Sequence, residues 1–244
     1  MKASLLTACA ALLLITTGCK TAECCGACKK TEKTAAYAED KEWTVLFDGT
    51  STEHFRGYKK EGFPEKGWVI EDGALRKVAK AGGGDIITKE KYDSFELYFE
   101  WKVAKAANSG IMYRVAEING PSYKTGPEYQ ILEDSGHRDG KNAKTSTAAL
   151  YALIACNDKK ELKPIGEWNS SGILIQGDHV EHWLNGKKVV EYTWASDEVK
   201  ELIANSKFKN WPEFMTQDTG HIAFQDHGDD VWFRNIKIRK IESK

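Results

Sequence analysis

Short segments in which apolar and polar residues alternate recur from Trp43 to the end of the chain. Between Phe95 and Val103 every odd-numbered residue is apolar and the even-numbered residues are mostly polar, which is the period of a strand with one buried face. Similar segments flank the turn residues Asp72-Gly73 and Asn185-Gly186 and therefore indicate two hairpins. Further strands are predicted over residues 110–115, 128–132, 148–154, 173–176, 221–225 and 231–238.

This density of strands predicts an all-β fold. About a dozen strands in roughly 200 residues are typical of a jelly-roll sandwich of two antiparallel sheets. One short helix is predicted over residues 197–207, with Ser196 as its N-cap and acidic residues in its first turn. Because neither an internal repeat nor a second domain boundary interrupts the pattern, residues 43–244 are expected to form a single domain.

The beginning of the chain does not share the strand pattern. Lys2 precedes an apolar stretch from Leu5 to Ile15, and small residues stand just before Cys19, as in a bacterial lipoprotein signal. The stretch is shorter than the roughly 20 residues that a membrane-spanning helix needs. We therefore expect residues 1–18 to be a signal peptide that is removed and Cys19 to be lipidated, with an ordinary secretory signal as the alternative.

Residues 19–42 are polar and rich in Ala, Lys and Thr, which predicts a flexible, lipidated tether. The segment contains Cys25-Gly26-Ala27-Cys28, but neither a second cysteine pair nor a nearby histidine accompanies it. A local disulfide or free thiols are therefore favoured over a metal site. The acyl chains would attach the protein to a membrane of the cell envelope, on the periplasmic side or at the cell surface.

Composition narrows the classes of function. Of the 244 residues, 41% are hydrophobic, which is enough for one sizeable core. Lys and Arg number 35 against 36 Asp and Glu, so no excess of basic residues predicts a nucleic-acid partner. Beyond the tether only Cys156 remains, and the domain is therefore expected to be stable without a disulfide framework.

Three predicted strands present polar faces that carry both hydrogen-bond donors and acceptors. Sugar hydroxyls and sugar ring faces require such a surface, while a solvated outer face is the alternative. The residues that share these faces are Glu128 and Gln130 on one strand, Asn108, Met112 and Arg114 on another, and His221, Ala223, Gln225 and His227 on the third.

Other motifs are weaker. His179 and His182 could share a metal only on a helix, because residues three apart point to opposite sides of a strand. The Gly82-Gly83-Gly84-Asp85 segment lacks the Lys-Ser/Thr pair of a phosphate-binding loop. Neither a motif for two paired carboxylates nor a Gly-x-Ser-x-Gly elbow is present, so ordinary glycoside hydrolysis and serine-triad chemistry lack a motif.

Seven short motifs occur in a characteristic order and spacing, namely Leu46-Phe47-Asp48-Gly49-Thr50, Gly83-Gly84-Asp85-Ile86, Asn108-Ser109-Gly110-Ile111, Pro127-Glu128-Tyr129-Gln130, Gly166-Glu167-Trp168-Asn169, His182-Trp183-Leu184-Asn185-Gly186 and Gln225-Asp226-His227-Gly228. From about Trp43 to Lys240 the chain thereby resembles the 3-keto-disaccharide hydrolase domain family. The resemblance implies a concanavalin-like lectin/glucanase jelly roll, in agreement with the strand pattern. It also implies a substrate class, glycosides that are oxidised to a ketone at C3.

A ketone at C3 acidifies the hydrogen on C2. A base can then remove that hydrogen, an enolate forms, and the substituent at C1 leaves by elimination, with or without later addition of water. Such a protein needs a base, a donor for the enolate oxygen and an acid for the leaving oxygen. The implied activity is cleavage of the glycosidic bond of 3-keto-glycosides. A non-catalytic carbohydrate-binding lipoprotein and an ordinary glycoside hydrolase are the alternatives.

For these roles we predict Glu128 and His137 as the catalytic acid/base pair, because His137 follows the Glu128 strand through a short loop and histidine titrates near neutral pH. Arg114 and Gln130 are candidates for contacting the enolate and the hydroxyl groups. No cofactor is predicted, although a divalent metal held by His137, Glu128 and His227 is kept as an alternative. The sequence does not indicate an oligomeric state. The predicted sugar contacts are Tyr151, Glu167, Asn108, Gln225 and His227.

Overall fold

The alternating segments of the sequence form strands in the computed structural model, which describes residues 42–242. The predicted signal peptide, Cys19 and nearly all of the tether lie outside this range, so their assignments stay predictions. One α-helix, α1 (Asp197–Ala204), is present among the described residues. The strands are β1 (Thr44–Phe47), β2 (Phe55–Gly57), β3 (Trp68–Glu71), β4 (Ala74–Lys77), β5 (Ile86–Thr88), β6 (Phe95–Val103), β7 (Asn108–Val115), β8 (Glu128–Leu132), β9 (Asn169–Gln176), β10 (His179–Leu184), β11 (Lys187–Thr193), β12 (His221–Phe224) and β13 (Val231–Lys240).

The strands pair into two sheets, and the pairings are antiparallel. The eight-stranded sheet has the order β11-β10-β9-β6-β13-β4-β3, and β1 pairs with β13. The five-stranded sheet has the order β2-β5-β12-β7-β8. The predicted jelly-roll sandwich of two antiparallel sheets with one short helix is thus confirmed.

Aromatic side chains from both sheets meet in the core. Phe224 of β12 contacts Phe99 of β6 and Phe233 of β13, with ring centroids 6.4 and 5.1 Å apart. Phe99 also packs edge-to-face on Tyr129 of β8 at 5.8 Å. Such ring pairs add a favourable electrostatic term to the burial of their apolar area. The inner face of each strand is therefore fixed, and the alternate residues of the five-stranded sheet must face away from the core.

Two predicted elements differ from the structure. Residues 148–154 form a compact turn instead of a strand, because Ala148 and Ala152 adopt positive φ values of 66° and 60° that an extended strand cannot contain. The predicted helix stops at Ala204, where Asn205 forms the C-cap. A separate 3₁₀ turn follows, in which the Ser206 hydroxyl accepts a hydrogen bond from the Phe208 N–H at 3.1 Å. Within residues 42–242, no helix has the length and apolar character needed to cross a membrane.

Candidate functional site

A cavity of about 330 Å³ lies on the face of the five-stranded sheet that points away from the sandwich core. Strands β12, β7 and β8 are neighbours in this sheet, and polar side chains on or just after them form one wall of the cavity, called here the polar wall. They are Asn108, Glu128, Gln130, Gln225 and His227. Segments around residues 123–126 and 207–214 supply a largely aromatic wall opposite. The lining residues are Asn108, Tyr123, Gly126, Glu128, Gln130, Tyr151, Lys207, Phe208, Trp211, Phe214, Gln225 and His227.

The side chain of Glu128 lies across the neighbouring strand β7. A Cβ atom on Gly110 would lie only 2.0 Å from Oε1 of Glu128, so this place on β7 must be a glycine for the carboxyl group to lie there. Within the described part of the chain, no backbone or side-chain group donates a hydrogen bond to this carboxyl group. Glu128 therefore presents an uncommitted carboxyl group to the cavity.

Burial raises the pKa of Glu128 to about 8, and the negative charges of Asp85 and Asp139 add to the increase. The positive charge of Lys207 acts in the opposite direction. A carboxyl group with this pKa changes its protonation state near neutral pH, where a catalytic acid or base is most effective.

Two buried amides of the polar wall carry acceptors that the protein does not use. Asn108 is 4% exposed and Gln225 is 8% exposed, yet neither Asn108 Oδ1 nor Gln225 Oε1 receives a hydrogen bond from the described residues. Buried polar atoms are rarely left without a partner, and both of these line the cavity. Their position suits a ligand with several hydroxyl groups, which can donate to both.

Two histidines lie at the edge of the polar wall, with their ring centroids 6.4 Å apart. The Asn108 Nδ2 group lies 3.4 Å from Nε2 of His227, which lines the cavity. Nδ1 of His137 accepts a hydrogen bond from the Asp139 N–H at 3.1 Å. A neutral His137 ring therefore carries its proton on Nε2 and can donate it. His137 therefore lies next to His227, and within residues 42–242 no hydrogen bond, ion pair or ring contact joins it to Glu128.

Rings stack along the opposite wall. Phe208 and Phe214 are parallel with centroids 4.1 Å apart, and Trp211 packs against Tyr123 at 5.5 Å. Tyr123 is 41% exposed, so part of this surface faces solvent. Flat, partly exposed rings are suited to packing on the apolar face of a sugar ring.

A buried ion pair supports the loop that carries Gln225 and His227. The Lys77 Nζ atom, on a side chain only 1% exposed, lies 3.0 Å from Oδ1 of Asp226. The Asp226 N–H in turn donates to Oδ1 of Asp85 at 2.8 Å, and the Ser122 hydroxyl donates to the other Asp85 oxygen. Burial raises the pKa of Asp85. Lys77 belongs to the eight-stranded sheet, so the loop is linked to both sheets.

The structure does not bring Arg114 to the cavity, and the prediction that it shares a face with Asn108 is wrong. A bulge in β7 shifts the register against β12, and Arg114 adopts a φ of 52°. The bulge directs its guanidinium group to Trp194, at 4.4 Å from the ring, and to the carbonyl oxygens of Asp93 and Gly177. The alternation of side chains between the two faces of a strand cannot be extended past a bulge, because one extra residue exchanges the two faces.

Glu167 and Gln130 also differ from their predicted roles. Glu167 is exposed and borders a separate cavity with Trp101 and Asn169. Gln130 does line the main cavity, but both ends of its amide are occupied. Its Nε2 donates to Thr145 O at 3.2 Å, and its Oε1 accepts from the Ile131 N–H at 3.1 Å. The remaining predicted contacts Asn108, Tyr151, Gln225 and His227 all line the main cavity with Glu128.

Sequence reasoning missed the second wall. The sequence predicts the end of a helix at residue 207 and no element over residues 208–214, although Phe208, Trp211 and Phe214 place three aromatic rings in this short segment. That crowding was the available signal. Tyr123 and Lys207 carried no signal, because only the tertiary fold places them beside Glu128.

Among residues 42–242, one group of three side chains has the close spacing of metal ligands, His179, Glu181 and Glu191. Lys188 Nζ already contacts both carboxylates, at 2.9 and 2.6 Å, and supplies positive charge there. His182 points away from this group and is buried against Tyr113 and the Ala148 carbonyl, so it belongs to the core and does not join the group. Burial lowers the pKa of His182 to about 4.

Comparisons with known proteins relate the whole described region to one family. A family model described as the 3-keto-alpha-glucoside-1,2-lyase-like domain matches residues 42–239. A curated protein of Bacteroides thetaiotaomicron named 3-keto-disaccharide hydrolase is 36% identical over 230 residues, covering 82% of this chain and 79% of that protein.

Two crystal structures from Parabacteroides distasonis, provisionally described as glycosyl hydrolases, are similar to this fold. One has a TM-score of 0.75 and is 32% identical in sequence, and the match covers 94% of its chain and 82% of this chain. The other has a TM-score of 0.63 and is 29% identical in sequence, and the match covers 100% of its chain and 82% of this chain.

Proposed function

The chain belongs to the family of 3-keto-alpha-glucoside-1,2-lyase-like domains, and on that premise we propose that it cleaves the glycosidic bond of glycosides that carry a ketone at C3. The half-buried carboxyl group of Glu128, which receives no hydrogen bond from the described residues, is the observation that carries this proposal. The name of the Bacteroides relative supports the same class of substrate. The similar proteins support cleavage of a glycosidic bond.

In the proposed reaction Glu128 acts as the base. Its carboxylate takes the proton from C2, and the electron pair of the C–H bond moves toward the C3 ketone to give an enolate. The raised pKa of Glu128 strengthens this base relative to an ordinary carboxylate, since a proton is held more firmly once transferred. A single base at C2 also explains why the sequence carries no motif for two paired carboxylates.

His137 is the proposed acid. When the enolate collapses, the C3 carbonyl forms again and the C2–C3 electron pair forms a C1–C2 double bond. The C1–O bond breaks, and the departing oxygen needs a proton. The neutral His137 ring holds a proton on Nε2, because its Nδ1 accepts from the Asp139 N–H. Water can afterwards add to C1 and a proton to C2, which gives net hydrolysis; without this addition the product is that of a lyase.

The proposed sugar contacts follow from the walls of the cavity. Asn108 Oδ1 and Gln225 Oε1 would accept hydrogen bonds from hydroxyl groups, and His227 would contact the same sugar from the edge. The rings of Trp211 and Tyr123 would pack on a sugar face. A non-catalytic carbohydrate-binding protein would use the same walls, but it would have no need for a half-buried carboxyl group without hydrogen bonds.

Solvent deuterium distinguishes the proposed route from direct displacement at C1. In deuterated water, the protein is expected to cleave a 3-keto disaccharide and to place deuterium at C2 of the product, which NMR and mass spectrometry detect. The unoxidised parent disaccharide is expected to remain intact, because its C2 hydrogen is too weakly acidic for a carboxylate to remove.

A parallel incubation without protein measures spontaneous exchange beside the ketone. If the product carries no more deuterium at C2 than this control, the original C2 hydrogen was retained and elimination would be excluded. Cleavage of the parent sugar would exclude the proposed substrate class and leave an ordinary glycoside hydrolase as the better account.

Gly110 provides a test of how Glu128 is positioned. Gly110→Ala is expected to lower kcat/KM for the 3-keto disaccharide by roughly tenfold or more, because the new methyl group displaces the carboxyl group from its place on β7. Gly62→Ala is the matched control, since a Cβ atom on Gly62 meets no heavy atom within 4 Å. Steady-state kinetics of both folded variants make the comparison, and equal rates would mean that Glu128 needs no such placement.

A further inference from the structure

The proposed function leaves one chemical role without a residue. An enolate needs a positive charge or a hydrogen-bond donor at its oxygen, and such groups commonly contribute more than any other single term to catalysis. Arg114 points to Trp194 outside the cavity, and the amide of Gln130 is occupied by backbone partners. Arg114 is therefore not available for this role, and the Gln130 amide is already held by two backbone groups and carries no positive charge.

Lys207 brings a positive charge to the same cavity. It is the only lysine or arginine among the described residues that line it. Because α1 ends at Ala204 and a new 3₁₀ turn begins after Ser206, Lys207 starts a turn of its own instead of continuing the helix. Its Nζ atom lies 4.4 Å from the ring centroid of Tyr151, on the cavity wall.

The ammonium group of Lys207 is held in place without being neutralised. Among residues 42–242, no carboxylate or carbonyl oxygen lies within hydrogen-bond distance of Nζ, and its close neighbours are the rings of Tyr151 and Phe208. Partial burial lowers the pKa of Lys207, and the charges of Glu128 and Asp139 oppose that change. Stacking on a ring leaves the three N–H donors free to turn to a ligand.

We propose that Lys207 is a catalytic residue whose ammonium group donates a hydrogen bond to the C3 ketone oxygen and stabilises the negative charge of the enolate. This inference rests on the function proposed above. As the C2 proton moves to Glu128, the C–H electron pair forms the C2–C3 double bond, and the carbonyl electron pair moves to the oxygen that faces Lys207. When the C3 carbonyl forms again, the electron pair of the C2–C3 double bond forms a C1–C2 double bond, the C1–O bond breaks, and His137 protonates the departing oxygen. Lys207 keeps its protons throughout.

Substitution of Lys207 by a neutral and by a charged residue tests the role. Lys207→Met is expected to lower kcat for the 3-keto disaccharide by about 10²-fold, the usual effect of removing one donor to a developing oxyanion. Deuterium exchange at C2 should slow by a similar factor, because it depends on the same enolate. Lys207→Arg retains the charge and is expected to recover part of both rates.

Lys209→Met is the matched control. Lys209 lies in the same 3₁₀ turn but borders a different cavity beneath α1, so its loss should leave both rates unchanged. A Lys207→Met protein with the kcat and the exchange rate of the unmodified chain would overturn the proposal. A rise in KM alone would also overturn it, because that result describes a residue that only binds the sugar.

The same measurements separate this inference from the function on which it rests. If the unmodified protein neither cleaves the 3-keto disaccharide nor exchanges its C2 hydrogen, the proposed function fails and the inference with it. If the unmodified protein does both and Lys207→Met does them equally well, only the role of Lys207 fails. Borohydride treatment during turnover adds a further arm, since a substrate adduct on Lys207 would replace the hydrogen-bonding role with a covalent one.

Discussion

Glu128→Gln is expected to lower kcat/KM for a 3-keto disaccharide by about 10²–10⁴-fold, the range that a positioned general base contributes. Glutamine has nearly the same shape but cannot take a proton from C2. The substitution breaks no hydrogen bond within the described residues, because none is donated to the carboxyl group. The fold should therefore survive, and the loss should appear in both cleavage and deuterium exchange at C2.

Glu167→Gln is the matched control for this variant, because Glu167 is an exposed glutamate beside a separate cavity. His137→Ala is expected to lower cleavage by roughly 10²-fold while leaving C2 exchange closer to that of the unmodified protein, since it acts after proton removal. A folded Glu128→Gln protein with undiminished exchange would show that another group removes the proton.

The stability of the Glu128→Gln protein should rise, although its activity falls. The pKa of Glu128 rises from 4.5 to about 8 on folding, so the folded state favours the protonated carboxyl group. The favourable contribution of this group is complete at pH values below its unfolded pKa and is lost as the pH rises through the folded pKa. Glutamine does not ionise, and the Tm of Glu128→Gln should exceed that of the unmodified protein by a growing margin as the pH approaches 8.

The activity of the unmodified protein is expected to fall about 50-fold between pH 8 and pH 6, with a slope that approaches tenfold for each pH unit well below the pKa of Glu128. The reason is that only the ionised form of Glu128 can accept the C2 proton. The profile of kcat/KM against pH measures this directly. Higher activity at low pH would assign Glu128 the role of the acid instead, and a flat profile would show that its ionisation does not control the rate.

The charges around Glu128 provide a control for that profile. Asp139 and Asp85 add negative charge that raises the pKa of Glu128, and Lys207 adds positive charge that lowers it. Asp139→Asn should therefore move the inflection to lower pH, and Lys207→Met should move it to higher pH. Shifts in the opposite directions would assign the inflection to a different group.

Residues on regular strands could be placed from the sequence, because alternation determines which side chains leave the core. The bounds of β6 and β8 agree with the prediction, and Glu128 and Asn108 lie on one wall as expected. Arg114 could not be placed, since its bulge requires a positive φ in a residue type that rarely adopts one. Nothing in the local sequence distinguishes that arginine from one that continues the strand.

The aromatic wall could not be predicted from the sequence, for a different reason. Residues 207–214 contain no regular strand or long helix, so no period shows which side chains face inward. Their position depends on long-range contacts, such as the hydrogen bond from the Met215 N–H to Thr125 O at 2.8 Å. Pairing between distant segments is decided by the packing of the whole chain, which local propensity does not report.

The Lys77–Asp226 ion pair orders the loop of the polar wall before a sugar binds. Breaking a buried ion pair typically costs about 3–5 kcal/mol, so the loop with Gln225 and His227 seldom leaves its place while the sheets are intact. The conformational entropy of this loop is lost when the chain folds, before any sugar arrives. A sugar that enters the cavity therefore meets acceptors that are already oriented, and more of its contact energy remains available for affinity.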